Sequence, residues 1–269
     1  MHDSTTVIAL TGKGGVGKTS LSASIVRILT EDFPDAKILA IDADPAIGLQ
    51  AALGVEVHET LDDIRRRVSE QVADQLGDTQ DILAEAKFRL FEAMEERGGF
   101  AFLAIGRPEA AGCYCAVNTY LRQVISMIAD EFDFVVIDGE AGIEQINRRV
   151  MEKVTHLLCV SDQSRKGLQI VDTIRRVSKD LVVYDEIGLV INRAPLPDRV
   201  TKSTVSGIPV AAVIGQDDAM AENDIEGRSI FELPPGAPIL AGAREALISL
   251  GITDARQGAV MYGKEDPAT

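Results

Sequence analysis

The sequence predicts an α/β protein with a mostly parallel sheet flanked by helices on both faces, and three observations predict it. Short apolar runs recur along the chain, they are continuous rather than alternating, and segments of helical period separate them. Strands buried on both faces read as unbroken apolar runs, and regular strand–helix alternation builds a parallel sheet with right-handed crossovers.

In chain order the strand-like runs are 6–10, 37–42, 100–106, 134–138, 156–161, 187–192 and 209–214. Helical periodicity marks 19–30, 120–131 and 168–181 between them. Residues 59–98, rich in Glu, Asp, Ala and Leu, break the alternation. They read as two or three amphipathic helices inserted after the second strand. No glycine- or proline-rich linker and no internal repeat divides the chain, so residues 1–269 are expected to form a single domain, with 252–269 as a loose polar tail.

Composition narrows the partners. The 269 residues are 46% hydrophobic, enough for a sizeable core, and no apolar run reaches the roughly 18 residues that span a bilayer. The first residues carry no basic region and too short an apolar stretch for a signal peptide, so the expected location is cytoplasmic. A formal charge of −15 repels phosphodiester backbones and anionic lipid, which excludes non-specific nucleic-acid and membrane binding. The basic cluster at 64–68 adjoins two aspartates and reads as a solvated helix face. Three cysteines in this setting are thiols, not a disulfide framework.

The strongest motif follows the first strand and opens a helix. Residues 11–20 read TGKGGVGKTS, and Gly12 to Thr19 fits G-x-x-x-x-G-K-[ST]. Glycines there let successive backbone amides converge on phosphate oxygens, aided by the helix N-terminus. Gly12, Gly14, Gly15, Val16, Gly17, Lys18, Thr19 and Ser20 are therefore the expected nucleotide cradle, and the fold is expected to be that of a P-loop NTPase. Lys18 would reach the β- and γ-phosphates of ATP, and the Thr19 hydroxyl would ligate Mg²⁺. An ordinary phosphate loop has no need of Lys13. Placed at the loop's start, it could serve the phosphates of a neighbouring subunit.

The segment KGGVGKT resembles the deviant phosphate loop of the superfamily of MinD, the nitrogenase iron protein and ArsA. That resemblance implies that Lys13 crosses a dimer interface and takes part in catalysis. Two further segments resemble the same superfamily. DADPAIG at 42–48 looks like switch I, in which Asp44 would orient the attacking water and Asp42 would lie in the Mg²⁺ shell. VVIDGEAGIE at 135–144 looks like the Walker B and switch II segment, in which Asp138 would hold the Mg²⁺ shell and Gly142 would offer an amide to the γ-phosphate. Carboxylates at the C-terminal ends of parallel strands sit where open α/β sheets bind ligands. Asn192, ending the sixth run, resembles the superfamily's base-reading asparagine.

Cys113 and Cys115 form a C-x-C in GRPEAAGCYCAVNTYLR, after the third strand and before a helix. In an extended loop, residues i and i+2 face the same side, so two thiolates could chelate one metal. Zinc and square-planar nickel want four ligands, and a two-fold dimer would supply the second pair. Read from the residues alone, idle thiols and a regulatory disulfide stand beside the metal site. Cys159, inside an apolar strand, reads as a small core residue. The C-x-C segment together with IDGEAGIEQINRR resembles the CooC-type nickel-insertion ATPases that mature carbon monoxide dehydrogenase and acetyl-CoA synthase. The resemblance implies an ATP-dependent homodimer that carries Ni²⁺, or Zn²⁺, on Cys113 and Cys115 and delivers it to an apo-metalloenzyme client. Rival readings are an electron-transfer ATPase with a cluster bridged between subunits and a MinD-like positioning switch without metal.

Overall fold

The structure, a computed structural model, describes residues 5–73, 79–106, 115–139, 150, 153–200 and 204–254. Strand β1 (Thr6–Gly12) leads through the phosphate loop into helix α1 (Lys18–Asp32) and then β2 (Ile38–Asp42). Helices α2 (Gly48–Leu53), α3 (Leu61–Ala73) and α4 (Thr79–Glu92) follow, then the short β3 (Glu95–Arg97) and β4 (Phe100–Ala104). Next come α5 (Cys115–Ala129), β5 (Phe134–Asp138), β6 (His156–Ser161), α6 (Arg165–Leu181) and β7 (Glu186–Ile191). The hairpin β8 (Thr204–Val205) and β9 (Ile208–Val213), helix α7 (Asp218–Ile225) and helix α8 (Pro238–Ser249) complete the order.

The described strands lie in the order β3-β4-β2-β5-β1-β6-β7-β9-β8, parallel except for β3 and β8 at the two edges. All seven expected apolar runs are strands, most of them shifted at an end by one or two residues. Their continuity has the anticipated cause. Alternate residues of one strand point to opposite faces, and helices cover both. Ile8, Leu10, Phe102 and Val136 pack with α1, α2 and α8, whereas Val7, Ala9, Leu103 and Ile137 pack with α3 and α5. Helix α6 covers β6 and β7 through Val171 and Ile174 against Cys159 and Leu189.

Within the 59–98 segment the described residues form helices α3 and α4, as expected, and its end adds an antiparallel edge strand. That strand reads Glu-Glu-Arg, with no apolar pattern to reveal it, and such charges keep an exposed edge from pairing further. Helix α3 starts from a reciprocal cap. The Asp63 amide donates to the Thr60 hydroxyl at 3.2 Å, and the Thr60 amide donates to the Asp63 carboxylate at 3.1 Å. In the basic cluster at 64–68 only Arg66 and Arg67 form a solvated face, whereas Ile64 and Val68 are buried and Arg65 pairs with Asp62 largely out of solvent. Among the described residues no helix is long and apolar enough to cross a membrane. The expected loose tail at 252–269 does not begin where expected, since Ile252 packs into the core and Thr253 is buried, and residues 255–269 lie outside the described residues.

Candidate functional site

The candidate site lies at the carboxyl ends of the central strands, where β1, β2 and β5 end side by side. Gly12 closes β1 at φ +146°, and a Cβ there would sit 2.0 Å from the Val160 carbonyl oxygen. No other residue lets the loop leave the sheet so close to β6. The loop then turns through Gly15 and Gly17, both at positive φ, into α1. Gly17 occupies the N-cap without a side chain to cap the helix, so the first-turn amides are left to an outside acceptor. An anion is the natural partner of such an end. Lys18, 8% exposed, folds back so that its ammonium donates to the Lys13 carbonyl at 3.3 Å, closing the ring of the loop.

Two buried carboxylates face this cradle. Asp42 and Asp138 are register partners on neighbouring strands. Asp42 accepts amides from Leu49 at 2.8 Å and Asp44 at 3.1 Å, and Asp138 accepts the Ser22 hydroxyl at 3.0 Å. Burial, reinforced by the neighbouring Asp138, pushes the Asp42 carboxyl up to about 7. Burial likewise pushes Asp138 up to about 6, against the Thr19 and Ser22 hydroxyls and the Lys18 ammonium. One oxygen of Asp138 is buried without a hydrogen-bond partner. An orphaned carboxylate oxygen beside a second acid and a threonine hydroxyl fits a hard divalent cation. Thr19, Asp42 and Asp138 are the residues that would hold Mg²⁺ or its water shell.

The pair makes a pH prediction. Unfolded, both carboxyls titrate near 3.8, so folding raises them and favours their protonated forms. Their contribution to stability is then fully present below about pH 4 and is lost as pH rises through about 6 to 7. A bound cation must displace those protons, so its affinity should fall roughly tenfold per pH unit for each proton displaced. Thermal melts with Mg²⁺ should show little gain in Tm near pH 5 and the full gain above about pH 7.5. Equal gains at both ends would place the cation elsewhere.

Asp44 follows on the turn that leads to α2. It is half-buried, and its carboxylate accepts the Ala46 amide at 2.9 Å. Ile47 beyond it takes a left-handed φ of 49° to start the helix. Lys13 does not reach into its own cradle. Its ammonium pairs with Asp162, the residue after β6. Partial burial alone would raise the Asp162 carboxyl, but Lys13 together with the Ser164 hydroxyl and amide holds it below the usual carboxylate range. Asn192 is 3% exposed and gives one amide hydrogen to the Val16 carbonyl at 2.8 Å. Its carbonyl accepts the Arg193 amide at 2.9 Å. A cavity beside Gly17 and Ser20 opens between Asn192, Arg193, Gln216 and Asp217.

The expected residues Gly12, Gly14, Gly15, Val16, Gly17, Lys18, Thr19, Ser20, Asp42, Asp44, Asp138 and Asn192 thus share one end of the sheet. Gly142 and Cys113 lie outside the described residues. Cys115 is the first residue of α5, so the C-x-C does not lie wholly in an extended loop, and the helix begins five residues before its expected start at Tyr120. Among the described residues no group of three or more His, Cys, Asp or Glu gathers as a metal site. Cys159 is buried in β6, and desolvation pushes its thiol up to about 12, as befits a core residue. Sequence reasoning missed Asp162, Ser22 and Arg193. Asp162 was open to discovery, since it too is an acid at the end of a parallel strand.

Residues 7–230 match the family described as the CobQ/CobB/MinD/ParA nucleotide binding domain. An uncharacterized ATP-binding protein of Methanocaldococcus jannaschii is 34% identical over 235 residues, covering 85% of this chain and 91% of that protein. The carbon monoxide dehydrogenase accessory protein CooC of Rhodospirillum rubrum is 27% identical over 250 residues, covering 85% and 90%. Among solved structures, the Pyrococcus furiosus cell division ATPase MinD superposes with a TM-score of 0.64 at 22% identity, covering 91% of this chain and 98% of that one.

Proposed function

The chain belongs to the CobQ/CobB/MinD/ParA nucleotide-binding family and is an ATPase, and on that premise we propose that it delivers nickel to an apo-metalloenzyme. The client would be of the carbon monoxide dehydrogenase or acetyl-CoA synthase type. The chain acts as one domain and as a homodimer. ATP lies with its phosphates on the amides of residues 14–20, its β- and γ-phosphates against Lys18 and its base beside Asn192. Asp44 orients the attacking water, and Gly142 offers its amide to the γ-phosphate. Thr19, Asp42 and Asp138 would hold Mg²⁺ or its water shell, and the cation would supply neutralisation of charge on the transferring phosphoryl group. To serve a partner's nucleotide, Lys13 first leaves Asp162.

One observation carries the coupling. The Ile105 amide donates to the Asp42 carbonyl at 2.9 Å, and the Ile105 carbonyl accepts the Asp62 amide at 2.9 Å. The chain that continues to Cys113 and Cys115 is therefore tied to the end of β2, beside the phosphates. A change in switch I on hydrolysis pulls on the same backbone that leads to the thiols. The similarity to CooC supports nickel as the cargo.

Titrating metal-free protein with Ni²⁺ tests the reading. The expected endpoint is one metal per two chains, with dimer formation, a thiolate-to-nickel charge-transfer band and proton release, because a thiol must ionise to coordinate. Zinc should compete without colour, and Cys113→Ser or Cys115→Ser should each abolish tight binding. One metal per chain without dimerisation, or unchanged affinity in the double variant, would sink the shared site. The second reading is a metal-free positioning ATPase, since the matched family includes MinD and ParA by name. Nucleotide-dependent dimerisation with no nickel binding would favour it.

A further inference from the structure

The geometry points to Arg193, acting with Asn192, as a positioning residue that presets the phosphate cradle before nucleotide arrives. This rests on the ATPase activity alone and not on nickel as the cargo. Two successive carbonyls of the loop are held from outside by two successive side chains. The Arg193 guanidinium donates to the Gly15 carbonyl at 3.2 Å, and the Asn192 amide donates to the Val16 carbonyl at 2.8 Å. In a planar trans peptide the N–H points opposite to the C=O. No described peptide bond is cis. Holding those carbonyls outward therefore turns the amides of Val16 and Gly17 the other way, toward the phosphates.

Neighbouring residues of an extended strand point to opposite sides, so Asn192 and Arg193 could not both reach the loop from β7. The backbone resolves this by strain. Arg193 takes a left-handed φ of 53°, a conformation costly for a residue other than glycine. It is pinned there from both sides. The Asn192 backbone amide donates to the Ser161 carbonyl at 2.8 Å, and the Ala194 backbone amide donates to the Ile214 carbonyl at 2.9 Å. Gly17 completes the fit, since a Cβ at that position would lie 2.7 Å from the Asn192 side-chain nitrogen. A strained residue over-determined by its surroundings, with its side chain on the binding loop, is the pattern of a preorganising group.

Arg193 also borders the cavity that holds Asp217, Asp218 and Asp224, so its guanidinium could instead contact the base or ribose. Calorimetry with ADP and with inorganic pyrophosphate, each with Mg²⁺, separates the two roles. Arg193→Gly removes the guanidinium and relieves the positive φ, so the variant should melt no lower than the parent. It should lose about tenfold in affinity for ADP and for pyrophosphate alike, the scale of one charge-assisted hydrogen bond. Arg193→Lys, which keeps a cationic donor, should recover part of both losses and carries the test if the glycine variant folds poorly. A loss confined to ADP, or no loss for either probe, would overturn the proposal.

Discussion

A Lys18→Ala variant is expected to hydrolyse ATP at least about a thousandfold more slowly than the parent, the scale of removing a cation from a phosphoryl-transfer site. The structure explains why no neighbour substitutes. Lys18 is buried on the first turn of α1 with its ammonium inside the loop, whereas the Lys13 ammonium is engaged by Asp162 and the Arg193 guanidinium lies on the outer side of Gly15. The substitution also takes away a charge that helps keep Asp138 ionised, so the acid pair becomes harder to deprotonate and Mg²⁺ binds less well. Phosphate release and ADP calorimetry measure both effects. Turnover at the parent rate would show that the loop is not the nucleotide site.

Asp44→Ala should keep ATP bound and slow its hydrolysis by about a hundredfold or more, the range for losing a group that handles the attacking water. Asp44 also has a structural task, because its carboxylate caps the Ala46 amide in the turn before α2. Asp44→Asn separates the tasks: asparagine retains an acceptor for that turn but lacks the negative charge. If the asparagine variant is as slow as the alanine variant, the charge is what matters. If it turns over at the parent rate, Asp44 is a turn residue and the switch I reading fails. Single-turnover hydrolysis after loading with ATP gives the rate without interference from binding.

The nucleotide end of the molecule was legible because its signals are local. A glycine loop between a strand and a helix, and acids at strand ends, are each contained in fewer than ten consecutive residues. Other features depend on residues far apart in the chain. Asp162 meets Lys13 across 149 positions and Asn192 meets Val16 across 176, and no short window contains either pair. The start of α5 at Cys115 was missed for a different reason. The stretch from Cys115 to Thr119 has no apolar period, so its helical form is set by continuation from the amphipathic turns that follow.

By itself the sequence determined the alternation of strands and helices, the burial of the sheet on both faces, and a glycine loop and acids at the ends of its strands. These follow from side-chain periodicity and backbone freedom, which act over a few residues. Only the tertiary structure decided the order β3-β4-β2-β5-β1-β6-β7-β9-β8, which sets Asp42 beside Asp138 and raises both acids. It also decided that Lys13 is held by Asp162 and that Arg193 is bent onto the loop at positive φ. Desolvation, charge proximity and tolerated strain are properties of the assembled surroundings, because each depends on groups that only folding brings within a few ångströms.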